Sequence, residues 1–342
     1  MNARGGAIPM ARINVIAEVG SVHDGSFGNA KHLIRTGAEC GADTMKFQLH
    51  VAAEETLRTA GGPAYFREEP RYEYFERTAF TKPQWQGLKA YSEEVGVEFL
   101  SSAFSTAAVR LLESLDVVRY KVPSGEVTNV PLLAAIADTG KPVLLSSGMS
   151  SWAELDEAVN TILRRHDRLT VLQCTSAYPC AAEDVGLNVM LELRERYGLP
   201  VGLSDHTLSP YVSFAAAALG ASVIEKHLTF SRRMYGSDAV HSLEPSEFAD
   251  LVRGIRAIEA MLGAPVSKDA MAARLRDMKG IFEKSVVSVV DIPAGTVITA
   301  EMVGLKKPGT GIPARRLREV IGQRVVRAVP KDAVLREQDL SA

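Results

Sequence analysis

PVGLSDHT (200–207) and ASVIEKHLT (221–229) decide the reading of this chain. Each is a short run of Val, Leu and Ile that reads as a β-strand, and each sets a histidine, His206 or His227, just past the strand end. Side chains in that position on parallel strands point to where barrel enzymes do chemistry. Two imidazoles there, with Asp205 and Glu225 as acidic neighbours, suit a divalent metal that keeps positions open for substrate. A lone histidine would read as a core residue paired to a carboxylate, but two on consecutive strand ends favour the metal.

Outward from these segments the same unit recurs. INVIAE (13–18), DTMKFQL (43–49), VEFLSS (97–102), VVRYKV (117–122), PVLLSS (142–147), LTVLQC (169–174), PVGLS (200–204) and SVIEKH (222–227) all read as strands. Their lack of polar alternation suits burial on both faces. Amphipathic stretches such as NAKHLIRTGAEC and SSWAELDEAVNTILRR lie between them, several ending at a glycine (Gly41, Gly96, Gly140, Gly220) that can stop a helix with positive φ. Eight successive β/α units predict an α/β fold, a closed (β/α)8 TIM barrel. A doubly wound open sheet is the alternative, but no G-x-G-x-x-G follows the first strand. The barrel is expected over residues 1–262, with a last helix at 246–262, then a polar linker over 263–283 and a small domain over 284–342. That tail echoes itself, DIPAGTVITAEMV (291–303) against AVPKDAVLREQDL (328–340), which suggests a pseudo-twofold module.

Composition narrows the classes of function. With 39 Lys and Arg against 41 Asp and Glu the net charge is −2, and no basic stripe is present, which argues against nucleic acid or anionic membranes as partners. The start MNARGGAIPMAR lacks the apolar core of a secretion signal, and FAAAALGASVI is too short to span a bilayer. Cys40, Cys174 and Cys180 have neither zinc-finger nor C-x-x-C spacing and read as reduced thiols, so a cytoplasmic enzyme is expected.

The strand ends are rich in polar groups: Glu18, then His23 and Asp24; Lys46 and Gln48; Ser101 and Ser102; Lys121, Ser124, Glu126 and Asn129; Ser146 and Ser147; Cys174 to Tyr178; Ser204 to His206; Glu225 to His227. Buried polar groups cost about 1–3 kcal/mol each when unpaired, so their shared location implies a polar pocket. A lysine with several hydroxyls and glycine turns suits a phosphate or carboxylate, and Lys121, Ser124, Ser146 and Ser204 can surround a small phosphorylated acid. For serines alone the competing role is helix capping, which is the better reading of Ser150 and Ser151. Glu18 and Glu126 are candidates for holding a sugar or managing a water.

EVGSVHDG, KFQ, YKVPSGEVTN, LSSGMS, QCTSAYP, GLSDHT, EKHLT and GSDAVHSLEP, in this order, resemble the successive motifs of the sialic acid synthases. KSVVSVVDIPAGTVIT and LKKPGTGIP resemble that family's C-terminal antifreeze-like (SAF, β-clip) domain, so the resemblance covers residues 13–340. It implies condensation of phosphoenolpyruvate with an N-acetylated hexosamine to a nine-carbon nonulosonic acid. In that reaction C3 of phosphoenolpyruvate attacks the aldehyde of the open-chain sugar, water adds at C2, and phosphate leaves by C–O cleavage. By the same resemblance His206 and His227 match manganese ligands, and Lys121, Ser124, Ser146 and Ser204 match groups around phosphoenolpyruvate. Glu18 matches a glutamate on the acceptor sugar, Glu126 one near the reacting centre, and Tyr178 and Asp238 further pocket positions. Glu18, Glu126, Lys121 and His206 are thus expected to carry the chemistry, with Ser102 and Ser176 among the substrate contacts.

Three positions depart from the family pattern. Val22 stands where N-H-x-G has its asparagine, Ser176 where the strand-six motif often has one, and Lys307 where the tail carries an arginine; lysine keeps the charge but loses the planar fork. These leave the acceptor open. N-acetylmannosamine is the leading expectation, a 2,4-diacetamido-trideoxyhexose giving a legionaminic- or pseudaminic-type acid the next. Mn2+ is the expected metal, with Mg2+ or Co2+ as alternatives. The resemblance also implies a domain-swapped homodimer in which the tail of one chain, with Lys307, covers the barrel of the other. A metal-dependent retro-aldolase would need neither the tail nor the serine set. A non-catalytic carbohydrate-binding or antifreeze-like protein would not need the strand-end charges.

Overall fold

Val- and Ile-rich runs become strands here because each is covered on both sides, by barrel interior and by helices. The computed structural model describes residues 12–62, 68–177 and 180–341. The chain divides into two units, Met1–Ala264 and Pro265–Ala342. In the first, β1 (Asn14–Gly20), β2 (Thr44–Leu49), β3 (Glu98–Ala103), β4 (Tyr120–Val122), β5 (Val143–Ser146), β6 (Leu169–Cys174), β7 (Val201–Asp205) and β8 (Val223–His227) form a closed parallel barrel in sequence order. Closure is made by β8 pairing with β1, which sets His227 beside Glu18. The strand expected at 117–122 is confined to its last three residues. Asp116 turns the chain with φ +52°, Val118 faces solvent, and Arg119 spends its guanidinium on Glu98, Asn14 and Thr44 across the barrel floor. Gly41 and Gly220, at φ +89° and +86°, end their helices in the left-handed region, as the sequence pattern predicts.

The interior is layered by the period of two along each strand. Ile16, Leu100, Leu144, Leu172 and Val223 form an apolar plug. Two residues further along the same strands stand Glu18, Ser102, Ser146, Cys174 and Glu225, so a polar layer lies directly on an apolar one. His23, read at first as part of the polar inventory, packs instead against Phe80, with ring centroids 4.6 Å apart, and its Nδ1 accepts from Gly25 N at 3.1 Å. That bond needs a neutral ring, and burial pushes the His23 pKa down to about 4, against the pull of Asp238. The unfolded chain therefore binds a proton that the folded one refuses between about pH 6.5 and 4. Stability is expected to fall across that window by up to about 3 kcal/mol on this account, and His23→Asn should flatten the fall in urea titrations at several pH values.

In the second unit β9 (Ser285–Ser288) pairs antiparallel with β10 (Val303–Lys306) around Val286, Ile292, Ile298, Ile312, Val325 and Leu335. Ile292 and Val329 are equivalent positions of the internal echo and bridge each other antiparallel, as a twofold axis requires. The equivalent 3-10 turns Ala300–Met302 and Glu337–Asp339 complete the match. The segment 263–283, expected as a linker, carries two short helices, Lys268–Arg274 and Arg276–Phe282, and groups with this unit. Its polarity, read as a linker signal, reflects helices exposed nearly all round, the first capped by Ser267. Among the described residues no helix is long and apolar enough to cross a membrane, and all three cysteines are free thiols.

Candidate active site

The polar layer opens into a cavity of about 470 Å³ at the carboxyl ends of the strands. At its floor four buried charges meet. Lys46 Nζ lies 2.7 Å from Glu18 Oε2 and 3.7 Å from Glu225 Oε1, and Lys121 Nζ lies 3.7 Å from the same Glu225 oxygen. Lys46 also donates to Ser102 Oγ (3.2 Å), Lys121 to Ser146 Oγ (2.8 Å), Ser204 to Glu225 (3.0 Å) and Gln48 to Glu18 (2.7 Å). Burial pulls Lys46 down, yet Glu18 and Glu225 outweigh it and hold its pKa above the ordinary value. Among the described residues Lys121 is ion-paired with the shared carboxylate alone, and burial wins, leaving its pKa depressed. Glu225, though burial works against it, is drawn down to about 2 by Lys121, Lys46 and His227. Lys121 is therefore the buried cation with the least compensation in the layer, and an incoming anion would complete it.

His206 and His227 stand on the cavity wall with ring centroids 5.5 Å apart. His206 Nδ1 is bonded to the Thr175 carbonyl at 3.0 Å, which orients the ring. Nδ1 of His227 is buried without a hydrogen-bond partner, and burial pushes that imidazole's pKa down to about 4, keeping it in the neutral form a metal needs. Among the described residues no cluster of three His, Cys, Asp or Glu gathers there. The pair thus fits a divalent ion that takes two nitrogens from the protein and the rest of its shell from water or substrate. Asp205, named with the histidines in the sequence, faces the other way: it is ion-paired with Lys226 at 2.8 Å and accepts from Ser213.

Of the other expected residues, Ser124, Ser176 and Asp238 line the cavity too. Gly148 donates to Ser124 Oγ at 3.1 Å, and a Cβ there would sit 2.6 Å from that oxygen and 2.3 Å from Ser176 Oγ, so any larger residue in the turn after β5 would displace both hydroxyls. Asp238 accepts from the Ser21 amide and hydroxyl at 2.8 and 2.9 Å. Glu126 does not line the cavity; it is half-buried and accepts from Asn129 at 2.8 Å. Tyr178 lies outside the described residues. Lys307 belongs to the second unit, its ammonium 5.0 Å over the Phe282 ring. Ser151 caps its helix, donating to and accepting from Glu154. Lys46 and Gln48 carry no assigned role in the sequence reading, and Glu225, expected as an acidic neighbour of the histidines, instead joins the two lysines; the two-residue period from Glu225 to His227 and from Lys46 to Gln48 marks all three as facing inward.

The sequence pattern of the NeuB family matches residues 33–267, and that of the SAF domain residues 283–341. The chain is 36% identical to the human N-acetylneuraminate-9-phosphate synthase, over 95% of this chain and 91% of that one. It is 34% identical to the N,N'-diacetyllegionaminic acid synthase of Campylobacter jejuni, over 96% of this chain and all of that one. The crystal structure of an N-acetylneuraminic acid (sialic acid) synthetase from Leptospira borgpetersenii in complex with citrate superposes with TM-score 0.69 at 29% identity, covering 78% of this chain and 92% of that chain.

Proposed function

Because the chain belongs to the NeuB family, we propose that it is a transferase that condenses phosphoenolpyruvate with the open-chain aldehyde of N-acetylmannosamine to give sialic acid and phosphate. The observation that carries this reading is the under-compensated Lys121 beside Ser146, Ser124 and Ser204 on the cavity floor, next to the two strand-end imidazoles. Lys121 and the three hydroxyls bind the carboxylate and phosphate of phosphoenolpyruvate. Glu18, already bonded to Gln48 and Lys46, accepts hydroxyls of the sugar and orients its aldehyde toward C3 of the enol. His206 and His227 hold a divalent metal, Mn2+ by preference, which when bound polarises a carbonyl as a Lewis acid. The bond between C3 of phosphoenolpyruvate and C1 of the sugar forms, water adds at C2, and the C–O bond to phosphate breaks. A binding or antifreeze protein has no use for two buried ammonium groups that compete for one carboxylate.

Turnover of phosphoenolpyruvate with Mn2+ against a panel of amino sugars tests the reading; no phosphate release with any of them would overturn it. Similarity to a legionaminic acid synthase along that enzyme's full length supports a second reading, in which a 2,4-diacetamido-trideoxyhexose is the preferred acceptor. The same panel separates the two. Lys121→Met is expected to raise the phosphoenolpyruvate KM by about one to two orders of magnitude, since a bond to a charged partner is worth roughly 1.5–3 kcal/mol. An unchanged phosphoenolpyruvate KM with a raised sugar KM would refute the assignment.

The tail is proposed to act in a homodimer, residues 284–342 of one chain covering the barrel mouth of the other, with the Lys307 ammonium contacting the acceptor. Mixing inactive His206→Ala and Lys307→Ala chains should then restore activity, because each mixed dimer assembles one intact site. Mixed dimers that form and stay inactive would show that each chain works alone.

A further inference from the structure

One wall of the cavity continues into the protein through residues that the proposed reaction leaves without a role. Gln48 donates from Nε2 to Glu18, so its Oε1 points away, and 3.1 Å from that oxygen lies Nε2 of His50. On the far side of the ring, Nδ1 is 2.5 Å from Glu55 Oε1, while Glu55 Oε2 accepts from Val51 N at 3.1 Å. The imidazole is stacked between Phe75 and Phe104, with centroids 3.7 and 4.1 Å away and planes within 10° and 23°. The side chains of His50 and Glu55 are only 8% and 5% exposed.

Hydrogen-bond direction follows from what each atom can do. Carboxylate and amide oxygens only accept. Since the Gln48 amino group is taken by Glu18, an oxygen faces His50, and Nε2 must carry a hydrogen. On the other side the short contact pairs Nδ1 with Glu55 Oε1. Turning the Gln48 amide over would set its oxygen against the Glu18 oxygen that now accepts from Nε2. Held between two phenyl faces, the imidazole has no room to swing its donor elsewhere.

We propose that His50, backed by Glu55 and clamped between Phe75 and Phe104, is a positioning residue that locks the Gln48 amide with its nitrogen on Glu18. It thereby sets the hydrogen-bonding face that the cavity offers to the acceptor sugar. The role rests on reading the cavity as the site of an amino-sugar condensation; the lock itself does not.

Two measurements on the full chain separate these. In 15N histidine NMR at neutral pH, with His50→Gln used for assignment, Nε2 of His50 is expected to be protonated; a bare Nε2 overturns the lock whatever the enzyme catalyses. His50→Phe keeps a ring in the stack and removes both nitrogens. It should raise the acceptor KM about tenfold, with the phosphoenolpyruvate KM unchanged and kcat within about threefold, as expected for one lost hydrogen bond of about 1.4 kcal/mol. His50→Gln, which returns a donor near the Nε2 position, should bring the acceptor KM back to within about threefold of the parent. A residue that merely filled space would move neither KM selectively nor be rescued by glutamine, and that outcome overturns the proposal. If His50→Phe does not fold, Gln48→Leu must raise the acceptor KM alone, and a rise in both KM values counts against the lock. Should the parent chain condense no amino sugar at all, the functional reading fails while the NMR result still decides the lock.

Discussion

Replacing Glu225 with leucine is expected to destabilise the barrel by about 3–5 kcal/mol, the cost of stranding buried charges when their partner is removed. One Glu225 oxygen stands 3.7 Å from each of two lysine ammonium groups and also accepts from Ser204, and all of these groups are buried. Lys46 would keep Glu18 at 2.7 Å, but Lys121 would keep just two neutral acceptors among the described residues, the Ser146 hydroxyl and, at 3.4 Å, the Val122 carbonyl. Urea unfolding of Glu225→Leu measures the loss, and the double variant Glu225→Leu/Lys121→Met apportions it. Recovery of about 1–3 kcal/mol in the double variant is expected for groups in direct contact. A loss below about 1 kcal/mol in the single variant would mean that water reaches Lys121 and that the charge is not buried in the sense argued above. The same carboxylate has a pH signature. Its folded pKa, near 2, lies below the ordinary 4.5, so its stabilisation is present above about pH 4.5 and disappears as pH falls toward 2.

The second large effect concerns the histidine pair. His227→Ala is expected to lower kcat/KM by about a thousandfold or more, the scale of several kcal/mol of transition-state stabilisation. The fold should hold, because the imidazole sits on the cavity wall with an unpartnered nitrogen rather than in the apolar core. A second readout keeps the test independent of catalysis. Mn2+ should raise the Tm of the parent chain in proportion to ligand binding, and that rise should vanish in His227→Ala and in His206→Ala. A parent chain whose Tm ignores Mn2+, or a His227→Ala chain whose Tm still responds, would remove the metal from these residues.

Much of this molecule is legible from residue order alone. The eight apolar runs with glycine stops require parallel strands joined by helices, because only burial on both faces accounts for strands without polar alternation. Placing Lys121, Ser124, Ser146, Ser204, His206 and His227 at strand ends follows from where each run stops, and all of them line the cavity. The tail's repeat was readable too, since equivalent residues such as Ile292 and Val329 need only pair for the twofold relation to appear.

What the order of residues leaves open is which charges meet. Asp205 and Glu225 are both carboxylates and each stands next to a strand-end histidine or one residue removed, yet one faces Lys226 outside the barrel and the other faces Lys46 and Lys121 inside. Period two allots each to a face, but only closure of β8 on β1 brings Glu225 to Lys46 and Glu18, residues some 180 to 210 positions away in the chain. The stretch at 263–283 reads as a linker because its composition is that of an exposed segment, and its two helices bury none of their residues. Local pattern thus determines strands, stops and which side chains reach the strand ends. The pairing of Glu225 with two lysines, the outward turn of Asp205 and the stacking of His50 between Phe75 and Phe104 depend on contacts between strands and loops far apart in sequence, which only the closed barrel brings together.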